Sequence, residues 1–241
     1  NVSMKKLLAA LLLTLPTISV AVDLDGYYIT AKGGVSKTSD TGETTFDTQG
    51  GTLRTMQNED LGTGSAFGFS VGKYLTDSFR LELEAIKRTG YEYDTPFSTA
   101  GLTNNEFEAN IQTEALFVNG FYDFQPFSMS NTAITPYLGG GVGISKNKMG
   151  TTDLILNGTP NGQTVDGNTI HQFAYKLSAG TLVSLTEQLS LDVNYQYVNL
   201  GSFKGGTNQF DDGVLGTVLA RPINGGEIKT QELMVGLQYK F

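Results

Sequence analysis

Eight stretches of this chain alternate apolar and polar residues with a period of two, a rhythm that fits half-buried strands and does not fit amphipathic helices. The stretches are residues 25–37, 64–74, 79–88, 107–124, 134–146, 170–185, 189–200 and 228–241. In the last, Leu233, Val235, Leu237, Tyr239 and Phe241 share one face, and Glu232, Met234, Gly236, Gln238 and Lys240 share the other. The seventh repeats this with Leu189, Leu191, Val193, Tyr195 and Tyr197 against Ser190, Asp192, Asn194 and Gln196. The fourth sets Leu116, Val118 and Tyr122 against Asn119 and Asp123, with Phe117 and Phe121 blurring the pattern.

A soluble sandwich alternates as well, so the connections decide between architectures. They run long, short, long, short, long, short, long: residues 38–63, 75–78, 89–106, 125–133, 147–169, 186–188 and 201–227. Short periplasmic turns and longer extracellular loops produce this rhythm when both mature ends lie in the periplasm. The expected fold is therefore all-β, an eight-stranded antiparallel up-and-down transmembrane β-barrel in the bacterial outer membrane, with four loops at the cell surface. Tyr27, Tyr28, Phe79, Tyr122, Phe124, Tyr239 and Phe241 fall beside the short turns and suit an interfacial aromatic girdle. Lys73 interrupts an apolar face close to a short turn, where its ammonium can snorkel to water.

Residues 1–21 have the layout of a cleavable signal peptide: Lys5 and Lys6, an apolar run from Leu7 to Leu15, then Thr17-Ile18-Ser19-Val20-Ala21. Cleavage is expected after Ala21, with residues 1–3 ahead of Met4 as a start-site artefact and 22–241 as the barrel domain. Without Lys5 and Lys6 the chain holds 14 Lys+Arg against 24 Asp+Glu, a formal charge of −10 that sets nucleic acid aside as a partner. No cysteine is present, so a disulfide framework cannot supply stability and a closed sheet must.

The inward faces carry Lys32, Arg80, Glu82, Glu84, Lys176, Asp192 and Glu232. Eight strands enclose a space just wide enough for side chains, and charges there must be paired or hydrated. They are read as a lumenal salt-bridge network that closes the barrel, with a narrow porin-like channel for ions or small solutes as the alternative. Lys32 stands seven positions above Asp25 and Glu232 nine before Phe241, which suggests similar heights and a pair across the closing seam.

The chain resembles the opacity-type family of small outer-membrane barrels, surface antigens and adhesins of Gram-negative bacteria. The carrying residues are 72–82 (GKYLTDSFRLE), 118–124 (VNGFYDF), 135–143 (TPYLGGGVG) and 235–241 (VGLQYKF). The resemblance implies surface display, host or matrix contact through the loops, and a structural role in the envelope. Outer-membrane lipid and lipopolysaccharide are its expected surroundings. Leu237, Tyr239 and Phe241 look like the C-terminal signal read by the outer-membrane assembly machinery.

Candidate chemistry is sparse, and no catalytic, cofactor-binding or metal residue is expected. His171 is the only histidine, and residues 170–173 place no serine beside it to serve as a nucleophile. Glu59-Asp60 and Asp211-Asp212 sit in polar, Gly-rich loops and read as solvated surface. Asp40, Glu43 and Asp47, and likewise Asp166-Gly167-Asn168, lack a calcium-loop spacing. Asn157-Gly158-Thr159 matches a glycosylation acceptor by coincidence, and Gly139-Gly140-Gly141 with Gly143 reads as close strand packing because no helix follows.

Overall fold

The computed structural model describes residues 24–42, 44–47, 53–56, 60–99, 102–129, 132–206, 209–211, 217–219 and 222–241. The expected signal peptide, residues 1–21, lies outside them.

Eight long strands form the barrel: β1 (Tyr27–Thr38), β2 (Thr63–Tyr74), β3 (Phe79–Thr99), β4 (Leu102–Asp123), β5 (Thr132–Met149), β6 (Asn168–Ser184), β7 (Leu189–Lys204) and β8 (Asn224–Lys240). Each pairs antiparallel with its neighbours in sequence, and β8 pairs with β1, so the sheet closes. Following directly opposed residues once around leads from Tyr28 through Gly72, Glu82, Asn119, Gly141, Lys176, Val198 and Thr230 to Thr38. That is a shear of ten residues, which with ordinary strand spacings tilts the strands by roughly 40° and sets a diameter of about 16 Å.

The alternation becomes a sorting of side chains. Phe67, Phe69, Leu83, Leu116, Ile144, Leu177 and Leu233 are exposed on the outer wall, while Thr30, Glu84, Asn119, Lys176, Gln196 and Glu232 are buried inside. Along β4, Phe117 and Phe121 point inward and face Gly143 and Gly139, while Asn119 faces Gly141. A Cβ on Gly139 or Gly141 would run into the β4 side chain opposite it, and one on Gly143 into the Leu116 carbonyl and the edge of the Phe117 ring. The glycine run of β5 is thus the space into which the β4 side chains fit. At the short-turn end the outer wall carries rings in edge contact, Phe79 with Tyr122 at 5.0 Å and Tyr239 with Phe241 at 5.3 Å. Lys73 lies 4.4 Å over the Tyr27 ring. Tyr28 does not join this girdle: it is fully buried in the lumen.

Two short turns use the same chemistry. The hydroxyl of Thr76 accepts from the backbone N–H groups of Ser78 and Phe79, and Thr186 does the same for Gln188 and Leu189.

The connections differ most from expectation. Residues 89–106 are mostly strand, because β3 and β4 continue to Thr99 and from Leu102. A one-residue bulge explains the misreading: Arg88 opposes Thr113 but Tyr91 opposes Ile111, with Gly90 at φ 88°. The bulge reverses the parity of β3, so Arg88 and then Tyr91 and Tyr93 face inward. Residues 147–169 contain a hairpin, Thr152–Leu156 with Thr159–Val165, turned by Asn157 at φ 53° and Gly158 at φ 73°. The asparagine of the glycosylation-like triplet is the first residue of a two-residue turn that needs positive φ twice. Shorter strands occupy the other long connections: Thr44–Asp47 with Leu53–Met56, and Gln209–Asp211 with Thr217–Leu219.

Candidate functional site

The lumen is filled in layers. Nearest the short turns, the Arg80 guanidinium lies 4.3 Å from the Phe121 ring centre and 4.6 Å from that of Tyr137, and its Nε donates to Asp123 at 3.0 Å. Glu82 accepts from the Tyr28 hydroxyl at 3.2 Å and from Asn119 at 3.1 Å, and Asp192 accepts from the Tyr137 hydroxyl at 2.6 Å. At mid-barrel Glu84 pairs with Lys32 at 2.7 Å and with Lys176, and accepts from Asn119 at 2.8 Å. Lys176 also lies 5.2 Å over the Phe117 ring.

Above this, Arg88 grips Glu232 through Nε at 2.5 Å and Nη2 at 3.1 Å. Ser36, Thr230 and Gln196 donate to the same carboxylate at 2.7, 2.7 and 2.5 Å. Lys32 and Glu232 are therefore not partners. Lys32 opposes Gly236 and Glu232 opposes Ser36, four positions further along the seam, because counting from strand ends ignores the shear.

Among the described residues the lumen buries four cations, Lys32, Arg80, Arg88 and Lys176, against five carboxylates, Glu82, Glu84, Asp123, Asp192 and Glu232. Tyr28 and Tyr137 supply neutral donors to Glu82 and Asp192. Arg88 and Asp123 escaped the sequence-derived set. Arg88 continues the even-numbered inward series of β3, and Asp123 the odd-numbered inward series of β4, so the alternation that found Glu84 also marks them.

Over the charged layers lies an apolar one. Tyr91, Ile111, Met149, Val198, Leu200 and Ile228 are fully buried there. The same cluster continues past the barrel wall into the long-loop end through Leu154, Val165, Phe203 and Ile223. The ring of Tyr93 meets that of Phe203 edge-on at 5.5 Å. The hairpin turned at Asn157 adds to the edge of β4, with Phe107 opposite Leu154. Among the described residues the loop end thus forms a platform with its own core, joined to the lumenal plug. Its outer edge sets three carboxylates directly opposite one another, Asp94, Glu108 and Asp153. Slight burial, then Asp94 and Glu108, push the neighbouring Glu106 carboxyl above its ordinary range.

The remaining candidates fall into ordinary roles. Asp40 and Asp60 accept the N–H groups of Gly42 and Gly62 at 2.9 and 2.8 Å, turns in which both glycines have positive φ. Asn168 ties its corner to β7 by donating to the Gly205 carbonyl. Glu43, Glu59 and Asp212 lie outside the described residues, as do the side chains of Asp47 and Asp211. No group of three metal-ligating side chains occurs among the described residues. His171 is exposed on the outer wall opposite Lys146. Leu237, Tyr239 and Phe241 also lie on the outer wall, and the Phe241 N–H donates to the Tyr27 carbonyl at 3.0 Å.

Comparisons with known proteins agree with this architecture. A family model described as outer membrane protein beta-barrel domain matches residues 7–241. The chain is 27% identical over 197 residues to outer membrane protein PagN of Salmonella typhimurium, covering 77% of this chain and 79% of that one. It is 24% identical over 178 residues to a protein of Rickettsia bellii named as a candidate adhesin, covering 70% and 72%. Among solved structures, OprG from Pseudomonas aeruginosa matches with a TM-score of 0.54 at 17% identity, covering 90% of this chain and 96% of that one. Neisserial surface protein A matches with a TM-score of 0.52 at 16% identity, covering 90% and 98%. At these identities the structural matches speak to the fold alone.

Proposed function

Because this chain belongs to the outer membrane protein β-barrel domain family, we propose that it is a non-enzymatic surface protein whose closed barrel holds its loop-end platform out to meet host surfaces or matrix. In this reading the four long connections face outward, both mature termini lie in the periplasm, and residues 1–21 are removed on export. Leu237, Tyr239 and Phe241 are what the assembly machinery reads, and outer-membrane lipid with lipopolysaccharide surrounds the outer wall.

One observation carries the reading: a plugged lumen continuous with the platform. The four lumenal cations are paired and the layer above them is apolar, an arrangement that favours a sealed anchor over a conduit. Long β3 and β4 run on beyond the barrel wall, which suits a surface function. The candidate-adhesin name of the Rickettsia bellii relative points the same way. The test is adherence of a non-adherent bacterium expressing the chain to epithelial cells and matrix-coated plates. A version with residues 96–104 replaced by a tight turn, which leaves the core residues Tyr91, Tyr93 and Phe107 in place, should fold and lose at least tenfold in adherence. Unchanged adherence, or steady conductance of the purified barrel in planar bilayers, would overturn the proposal.

A further inference from the structure

The outer wall carries a second organised charge set that the lumen does not use. Lys87 on β3, Glu114 on β4, Lys146 on β5 and His171 on β6 are direct partners of one another across four successive strands. All four are exposed. The Glu114 carboxylate is shared, with Lys87 Nζ 3.4 Å from one oxygen and Lys146 Nζ 3.3 Å from the other. Two lysines on one carboxylate leave a net positive charge, and the His171 imidazole stands next in the row.

These residues lie on a groove of about 780 Å³ whose floor is Phe67, Phe69, Leu116 and Ile144. Those four apolar side chains are 52 to 64% exposed, as suits contact with lipid chains. The row stands at the loop-side edge of the apolar band and climbs roughly 3 Å per strand because the strands tilt. Lys37 and Lys148 face outward toward the same edge, as does Lys229, which pairs with Glu227 at 2.8 Å. The whole sequence is acidic, with a net charge of −8, yet this edge gathers five lysines around the paired carboxylates of Glu114 and Glu227. Cations placed where an apolar wall meets water fit anionic headgroups.

The width of the row selects among anionic lipids. Three inter-strand spacings separate Lys87 from His171, about 14 Å. A single glycerophosphate cannot span that distance, whereas a disaccharide with a phosphate at each end can. Glu114, between the cations, offers the acceptor that a sugar hydroxyl or amide N–H needs. We infer that Lys87, Lys146 and His171 bind the two phosphates of a bis-phosphorylated disaccharide lipid of the outer leaflet, with Glu114 on its sugar and acyl chains along Phe67, Phe69, Leu116 and Ile144. The site rests on the outward orientation of the loop end proposed above.

Because His171 is the only histidine, its imidazole is a single NMR reporter at the site. The chain, refolded in zwitterionic micelles, is titrated with bis-phosphorylated lipid A, with its dephosphorylated form, and with phosphatidylglycerol. The imidazole signals should shift and saturate with the first lipid, at least tenfold more tightly than with either of the others. Lys87→Gln with Lys146→Gln should weaken that binding at least tenfold, and Lys87→Arg with Lys146→Arg should restore it. Equal binding of phosphatidylglycerol or of the dephosphorylated lipid, or wild-type affinity in the glutamine variant, overturns the site. Micelles impose no orientation, so these outcomes are separate from labelling of the loops on intact cells, whose failure would reject the orientation alone.

Discussion

Glu84 on β3 and Lys176 on β6 form an ion pair across the lumen, between strands that share no hydrogen bond with each other. Lys32 reaches the same carboxylate from β1, so one glutamate ties three walls of the barrel together. Removing Glu84 leaves two buried ammonium groups facing each other, whereas removing Lys176 leaves a matched pair. Glu84→Gln is expected to cost about 3–5 kcal/mol, the usual loss when a buried pair is broken, and Lys176→Met distinctly less. Urea unfolding in detergent micelles measures both, and equal losses would show that the carboxylate is not the hub.

The second ion pair is local to the upper lumen, so Arg88 and Glu232 should couple and Lys32 and Glu232 should not. A double-mutant cycle of Arg88→Met and Glu232→Gln is expected to give an interaction of about 1–3 kcal/mol. The same cycle with Lys32→Met should stay below about 0.5 kcal/mol. Coupling of the reverse order would mean that the seam register is displaced.

Gly143 faces Phe117 with no room for a side chain. Gly143→Val should press first on the Leu116 carbonyl and then on the Phe117 ring, costing about 1–3 kcal/mol or more, and Phe117→Ala in the same chain should recover only the share due to the ring. Retention of the folded, heat-modifiable gel band across a temperature series reports the outcome. A destabilised Gly143→Val that Phe117→Ala does not help would place the clash elsewhere.

On the platform, like charges stand directly opposite, and such pairs destabilise a sheet by about 0.2–1 kcal/mol. Glu108→Gln should therefore raise hydrogen-exchange protection across residues 105–110. Glu106, held above its ordinary range, is stabilising in its protonated form, and that contribution is lost as pH rises through its folded value. Protection factors of the same amides, corrected for intrinsic exchange, should accordingly be higher at pH 5 than at pH 7.4. A flat profile in the wild type and no gain in the variant would rule out a carboxylate origin.

Deletion of Phe241 removes the outermost ring of the β8 face and the N–H that reaches Tyr27. Outer-membrane levels in fractionated cells should fall sharply. Phe241→Tyr, which keeps the aromatic ring, should retain them.

Strand number, facing and the long-short rhythm of connections were legible because each depends only on local alternation. Position around the barrel was not. The Lys32 and Glu232 partnership failed because height along a tilted wall depends on the shear, which no single strand contains. Phe117 and Phe121 looked ambiguous because the space they fill belongs to Gly143 and Gly139, on another strand. The far end of β3 is hidden because the bulge at Gly90 reverses parity in mid-strand, so a correct alternating pattern reads as a stop. The hairpin at Asn157-Gly158 did carry a local signal, since an Asn-Gly pair between apolar residues favours a two-residue turn.

The seam between β1 and β8 also orders events in time. Its partners, such as Val35 with Leu233, are separated by nearly the whole chain, so no ring exists until β8 has been made. Every shorter nascent form has two open sheet edges, each a row of unsatisfied backbone groups that invites pairing with another chain. Slow, long-range closure of this kind leaves those edges exposed for longest. Export therefore has to deliver this chain as a guarded, unfolded polymer and to postpone the sheet until the last strand is at hand.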